Sequence, residues 1–404
     1  MKTPVVSILV ALTLASTSLA VDPPPDGGYP NQNTAEGEDA LFSLTTGRSN
    51  TAIGFDALYH NTGGINNTAT GTNALLNNTS GSNNTAAGFE ALKANTTGTQ
   101  NTASGVKALF TNTSGGQNTA LGVQALFFNS TGASNTAVGC VALWANTTGT
   151  FNTATGFNTL EGNTTGSQNT ADGSGVLFNN TTGANNTATG ASALAGNSTG
   201  NNNTASGYLA LLNNTTGSFN IGLGDNAGIN LTKGSYNIDI GNDGVAGESS
   251  TIRIGTKTEQ SNTYIAGING VTVAGGVGVI IDSNGHLGTV VSSLRFKDAT
   301  RPMDQASEAL LALKPVTFRY KKELDPQAIP QFGLVAEEVA KVDPDLVACD
   351  DQGKPYTVRY EAVNAMLLNE FLKEHKKTEE QASKIERLEA QLQRMAARLD
   401  AKGL

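Results

Sequence analysis

The residues able to do chemistry in this 404-residue chain are few and scattered. His60, His286 and His375 are far apart, which gives neither a Ser-His-Asp arrangement nor a zinc site. Glu337 and Glu338 are adjacent on a short predicted helix and read as a solvated face, not as two carboxyls flanking a glycosidic bond. Among 47 glycines there is no Gly-Lys-Ser/Thr phosphate loop. Cys140 and Cys349 lie in segments of unlike composition, so neither a disulfide framework nor a single long-range bond is expected. One further pair has the residue types of a nucleophile and a base, Ser292 and Lys297. A Ser-x-x-x-x-Lys spacing is common, however, and taken alone reads as a solvated loop.

The elements that must position any of these residues come mostly from one repeat. Asn33, Asn50, Asn67, Asn84 and so on to Asn237 recur at every seventeenth position without a missed step. The unit reads N-T-A-x-G-x-x-A-L-x-x-N-T-T-G-x-x and occupies residues 33–241. A period held through thirteen units without insertion means that each unit takes an equivalent place in a stack. One unit cannot make a core, because its apolar content is little more than Ala and Leu. Stacking puts each Leu on the next and joins them into a buried column.

Two glycines per unit, such as Gly105 and Gly115, are placed at sharp corners. Two asparagines per unit, such as Asn101 and Asn112, are expected to form amide ladders from coil to coil. Short strands with corners follow, with a helical turn at A-L-x-x-N. So short a unit leaves no room for two helices and a turn, so a β-solenoid or β-roll is expected over a helical solenoid. The pattern resembles the head repeats of trimeric autotransporter adhesins, in which N-x-A-x-G recurs along a β-roll. Their repeat is shorter than the one here, so handedness and coil path do not carry over.

Composition bounds the partners. Charged residues are 15% of the chain and aromatics 6%, a biased make-up for a folded protein. The net charge is −9 and the repeats hold almost no Lys or Arg, which weighs against nucleic acid. No acid recurs in every turn, so a calcium-binding solenoid is not expected, nor is any other metal or cofactor. T-x-T occurs only in some units, and Thr and Asn read as a solvated, hydrogen-bonded surface. An aromatic-lined stripe along the repeats is not expected. Sequons such as Asn95-Thr96-Thr97 fall out of the consensus and say little about glycosylation.

Residues 1–20 read as a cleaved signal peptide: Lys2, an apolar run over 5–14, then Ser18-Leu19-Ala20. That run is too short for a permanent span, so no stable membrane insertion is expected. Residues 21–32, with Pro23, Pro24 and Pro25, form a stiff Pro-rich leader. The expected location is secreted or cell-surface, in a bacterium.

After the array the chain changes. Residues 242–291 read as a β neck, with strands predicted over 251–255, 264–268 and 277–281 and turns at Asn269-Gly270 and Asn284-Gly285. From Ser292 to the end the chain holds most of its 25 Lys and Arg, and the N-T-A unit vanishes. There the pattern predicts a helix over 303–313, a strand over 316–320, a helix over 336–341 and a hairpin over 350–360 turning at Gln352-Gly353. A long helix over 361–401 carries Ile385, Leu388, Leu392, Met395 and Leu399 at steps of 3 and 4, a coiled-coil seam of about two heptads. The fold class is therefore mainly β: a β-solenoid, a β neck, then a small α+β domain ending in a coiled-coil helix.

Four motifs in order carry a family resemblance: Ser292-Ser293-Leu294-Arg295-Phe296-Lys297, Leu313-Lys314-Pro315-Val316-Thr317-Phe318-Arg319-Tyr320, Gln331-Phe332-Gly333-Leu334-Val335-Ala336-Glu337-Glu338-Val339, and Val358-Arg359-Tyr360. Residues 292–404 resemble the peptidase S74 domain, the intramolecular chaperone at the C-terminus of phage endosialidase tailspikes and of myelin regulatory factor. The resemblance implies a domain that trimerises, sets three chains in register and then cuts itself off with a Ser-Lys dyad. Carried over by position, Ser292 is the nucleophile, Lys297 the base and Val291-Ser292 the scissile bond. Ser293 is a rival nucleophile at a spacing that departs from the family's. A lysine can act as base only when neutral, which requires burial or a nearby cation such as Arg295.

The expectation is a secreted homotrimeric fibre, adhesin-like, whose enzymatic act is a single self-cleavage with no external substrate. Its ligand would be a cell-surface carbohydrate or protein. Two alternatives are a polysaccharide-binding or -degrading tailspike-like protein and a structural rod with a non-cleaving chaperone domain.

Overall fold

In a computed structural model the described residues are 29–401, apart from 257–258, 261, 267, 269–273, 283 and 351. The expected signal peptide, most of the leader and the Asn269-Gly270 turn lie outside them. The chain divides into two compact units, Met1–Tyr264 and Ile265–Leu404.

The first unit is a β-solenoid. Fourteen three-residue strands, β1 (Thr34–Glu36) to β14 (Ile252–Ile254), pair in chain order as one parallel sheet. Each residue lies beside its equivalent one period on, as Thr102, Ala103 and Ser104 lie beside Thr119, Ala120 and Leu121. The middle residue of each strand points inward. Ala103, with Ala108 and Leu109 of the same coil, is fully buried, and the same three positions build the core of nearly every coil. Stacking thus converts three small apolar residues per unit into continuous columns.

Both asparagines are inside. Asn101 Nδ2 donates to Asn84 Oδ1 (3.2 Å) and to the Gly115 carbonyl (2.9 Å), while its backbone N–H reaches Asn84 Oδ1 at 3.0 Å. Asn112 Nδ2 donates to Asn95 Oδ1 (2.8 Å) and to the Gly115 carbonyl (3.0 Å). The ladders form as expected, but Asn does not belong to a solvated surface: these side chains are fully buried. They satisfy polar backbone that coil corners turn into the core. Asn95, the acceptor of a sequon, is likewise buried with its amide engaged, so the folded coil offers no room for a glycan there.

The expected helical turn at A-L-x-x-N is instead a run of tight turns. Leu109 has φ 52°, Lys107 φ 57° and Gln117 φ 60°, and the equivalent positions repeat this through the array. A residue with positive φ cannot continue a right-handed helix. The N–H of Ala108 bonds back to Gly105 and that of Asn112 to Leu109, whereas Leu109 N–H bonds forward to Ala125 in the next coil. Gly105, at φ 138°, is required by conformation. Gly115 is required by contact, since a Cβ there would strike the Gly132 carbonyl oxygen and the Asn112 amide.

The stack continues past residue 241. Ile238–Ile240 (β13) pairs with Ile252–Ile254 (β14) after a step shorter than the period, so the 251–255 strand completes the solenoid sheet instead of opening a neck. The shortening is absorbed at the corner, where Asn237 Nδ2 donates to the Glu248 carbonyl and its Oδ1 accepts from Thr251 N–H.

In the second unit β15 (Val279–Ile281) and β16 (Leu287–Thr289) form an antiparallel hairpin. Its turn, with Asn284-Gly285, is organised by Asp282, whose carboxylate accepts from the N–H groups of Asn284 and His286. No strand forms over residues 264–266 and 268. Farther on, β17 (Val316–Phe318) pairs with β18 (Gln331–Gly333), and β19 (Val347–Cys349) with β20 (Pro355–Val358). Helix α1 spans Ala336–Val342 and α2 spans Tyr360–Asp400. The helix expected over 303–313 is a 3-10 segment, Asp304–Ala312. A small core of Val339, Leu346, Val347, Val358 and Met366 joins these pieces. Farther along α2, Ile385, Leu388, Leu392, Met395 and Leu399, the residues of the expected seam, are all exposed.

Candidate functional site

Val291 and Ser292 lie between β16 and one turn of 3-10 helix, Leu294–Phe296. That turn reverses the chain so that Lys297, its C-terminal flanking residue, returns toward Ser292. Lys297 Nζ donates to Ser292 Oγ at 3.1 Å. The two residues singled out by motif are thus brought together. Ser293 flanks the same turn, and its carbonyl accepts from the N–H of Phe296.

The pair is open to solvent. Val291, Ser292, Ser293 and Lys297 are all exposed, as are Leu294 and Phe296 beside them. The Arg295 guanidinium, the expected neighbouring cation, lies over the Phe296 ring at 4.6 Å from its centre. Such stacking holds a cation over a ring face but leaves it hydrated on the other side.

The other motifs converge on one another. Leu334 N–H donates to Tyr360 Oη at 3.1 Å. A Cβ on Gly333 would stand 2.8 Å from that hydroxyl and 3.3 Å from the Phe318 ring. Gly333, Tyr360 and Phe318 come from three separate motifs, so the motifs describe one packed junction between β17, β18 and the start of α2.

A second polar cluster was not foreseen from the sequence. Buried Ser307, on the 3-10 segment, accepts from Asn369 Nδ2 (2.7 Å) and bonds Glu370 Oε1 (2.5 Å), and Lys373 Nζ holds Glu370 at 2.7 Å. The bonds from Lys373 and Ser307 hold the Glu370 carboxyl below the ordinary carboxylate range. With Ser307 out of contact with solvent, the cluster fastens the segment to α2 and offers no accessible nucleophile.

The remaining candidates stay apart. Glu338 pairs with Lys341 at 2.7 Å, and both are exposed on α1. His60 packs against Tyr59, His286 lies near Asp282, and His375 stacks on Phe371. Cys140 and Cys349 are free and exposed. Among the described residues no group of three or more His, Cys, Asp and Glu is close enough to hold a metal ion. No helix among them is long and apolar enough to cross a membrane.

An aromatic stripe on the array, not expected from the sequence, is present. Phe110 stacks on Phe127 at 5.0 Å, Phe127 on Trp144 at 6.1 Å, and Phe42 on Tyr59 at 5.0 Å. These rings share the tenth position of the repeat, in two short runs separated by Leu76 and Lys93, which reading down the period would have revealed. Each uses one face on a neighbouring ring, and Phe127 uses both, so those faces are not open to stacking on a sugar ring.

Comparison of the chain with curated proteins finds no match. Within its C-terminal unit residues 292–348 match the family model Peptidase S74, chaperone of endosialidase, a match that begins at the serine Lys297 contacts, ends before Val358-Arg359-Tyr360 and the long helix, and is preceded by the β-solenoid.

Proposed function

We propose that this chain is a secreted, adhesin-like fibre protein whose C-terminal domain assembles three copies and then severs itself at Val291-Ser292. A Peptidase S74 segment behind a β-solenoid fits a tail-fibre-like protein. The observation that carries the finer reading is the 3.1 Å contact between Lys297 Nζ and Ser292 Oγ at the first residue of the family match.

The chemistry balances with these residues and water alone. Ser292 Oγ attacks the Val291 carbonyl carbon while its proton passes to a neutral Lys297 amine. The C–N bond to Ser292 breaks, its nitrogen taking a proton, and Val291 is held as an ester on Ser292. Water then hydrolyses that ester, leaving a Val291 carboxylate and a free Ser292 N-terminus. A neutral lysine requires desolvation. Since both residues are exposed in the single chain, that desolvation is supplied in this reading by the other copies, which makes cleavage follow assembly.

Assembly itself is supported by the exposed apolar row on α2. Ile385, Leu388, Leu392, Met395 and Leu399 repeat at coiled-coil spacing and have no cover in one chain. The register of the solenoid gives assembly a purpose, because near-identical coils specify poorly which unit lies beside which. The array then serves as the exposed part, presented to a cell-surface carbohydrate or protein.

Expression of the full chain tests the reading. Wild type should give a 292–404 fragment and a separate upstream fragment, and Ser292→Ala and Lys297→Ala should each give one uncut band. Cleavage that persists in both variants excludes the dyad. An uncut but oligomeric wild type would leave a non-cleaving chaperone.

A further inference from the structure

The sixth position of the repeat follows the corner glycine and is exposed in every coil from Glu38 to Asp225. In the middle coils it becomes an unbroken apolar column: Phe89, Val106, Val123, Cys140 and Phe157, joined by Leu121 from the strand beside it. Unlike the tenth-position rings, Phe89 and Phe157 stack on no other ring among the described residues, being separated by smaller side chains. The column positions carry no charge, and the charges beside them are paired, with Glu90 held by Lys93 at 2.6 Å and by Lys107 at 3.6 Å. An apolar centre with a polar rim is the make-up of a protein interface.

The spacing of the column limits what can cover it. Its side chains rise by one strand spacing per residue, about 4.8 Å, along the stack. An α-helix, at about 5.4 Å per turn, drifts out of that interval, and the sheet of a globular protein, though it shares the spacing, twists away from it within a few strands. Another solenoid of equal rise keeps it, and a second copy of this chain has that rise at every coil. The exposed heptad row of α2 is a second feature of the same chain that calls for identical copies side by side.

We infer that the sixth-position column from Phe89 to Phe157 is the seam along which the solenoids of identical chains pack, parallel and in register. This inference rests on the self-assembly reading above. In-register packing sets every residue of the column against its own equivalent, so Cys140 of one copy meets Cys140 of the next within the seam, one coil from its centre at Val123.

Oxidation of the intact protein by copper phenanthroline, with a short bifunctional thiol reagent in parallel, tests this directly. Linked dimers should form at least tenfold faster than between free cysteines at the same concentration. They should vanish in Cys140→Ser and persist in Cys349→Ser. Val123→Asp, an exposed change that leaves the coil core intact, should lower the rate at least tenfold with unchanged circular dichroism. Sedimentation of the same samples separates the possible failures. An oligomer that does not link through Cys140 overturns the seam and leaves assembly standing; a monomer overturns both.

Discussion

Asp239 and Arg253 stand opposite each other in the last rung of the parallel sheet, yet their side chains do not bond. Arg253 is turned to Glu248, which takes its guanidinium through two nitrogens at 2.7 to 3.0 Å. Asp239 therefore occupies the inward position that Ala205 holds two coils earlier, fully buried and with both carboxylate oxygens unpartnered. Burial pushes its pKa up to about 6, Glu248 adds to the rise and Arg253 opposes it.

The sign of the pH dependence follows. A carboxyl whose folded pKa lies above its unfolded value of 3.8 binds its proton more tightly when folded, so ionising it costs stability. That cost is absent at low pH, grows from about pH 4 to about pH 6, and then levels at on the order of 3 kcal/mol. The last coil, residues 238–255, should exchange its amide hydrogens faster at pH 7 than at pH 4 once the intrinsic pH dependence of exchange is removed. Asp239→Ala should abolish the difference; an equal pH effect in that variant would rule out Asp239 as its source.

The asparagine ladder predicts a loss out of proportion to one side chain. Asn118 Nδ2 donates to Asn101 Oδ1 and to the Gly132 carbonyl, and its Oδ1 accepts from the N–H and the amide of Asn135. Asn118→Ala leaves the Asn135 N–H buried without a partner, which costs about 1 to 3 kcal/mol, and also strips one bond from the Gly132 carbonyl and one from the Asn135 amide. The urea midpoint of the solenoid should fall accordingly, by several times the effect of Thr119→Ala on the outer face. Equal effects would contradict the ladder's role.

The columns and ladders were legible because they repeat: the first Asn returns in all thirteen units, and Ala, Leu and the second Asn in most of them, which fixes the positions that face inward. The corners were not. Leu109, Lys107 and Gln117 adopt positive φ without being glycine, since the inter-coil bonds on each side hold them there, and local preference points the other way. The strand over 251–255 was legible but its place in the solenoid sheet was not, because the step to it is shorter than the period and it carries Ile where the consensus has Thr. At the candidate site, residue spacing alone left Ser292 and Lys297 as a solvated loop. The family motif picked them out, and the 3-10 turn that brings them together carries no sequence signal of its own.

The junction of motifs predicts a steric lesion at Gly333. A Cβ there meets Tyr360 Oη at 2.8 Å, and that hydroxyl also holds the Leu334 N–H. Gly333→Ala should therefore destabilise the C-terminal unit by about 1 to 3 kcal/mol as an overpacked site. Tyr360→Phe relieves the crowding but loses the hydrogen bond, so the double variant should recover part of the loss in a thermal melt. Strict additivity of the two changes would show that the residues do not interact.

The left-handed corner can be tested apart from the volume it encloses. Leu109 is fully buried with φ 52°. Leu109→Ile conserves volume and in an ordinary core costs less than about 1.5 kcal/mol. A β-branched residue is strongly disfavoured at positive φ, which adds a backbone penalty that no repacking of the column removes. Leu109→Met keeps an unbranched Cβ at the same position and fills similar space. The Ile variant should thus melt well below the Met variant. Equal melting of the two would mean that the corner relaxes to negative φ, and with it that the turns of this solenoid are set by the columns they enclose and not by the bonds between coils.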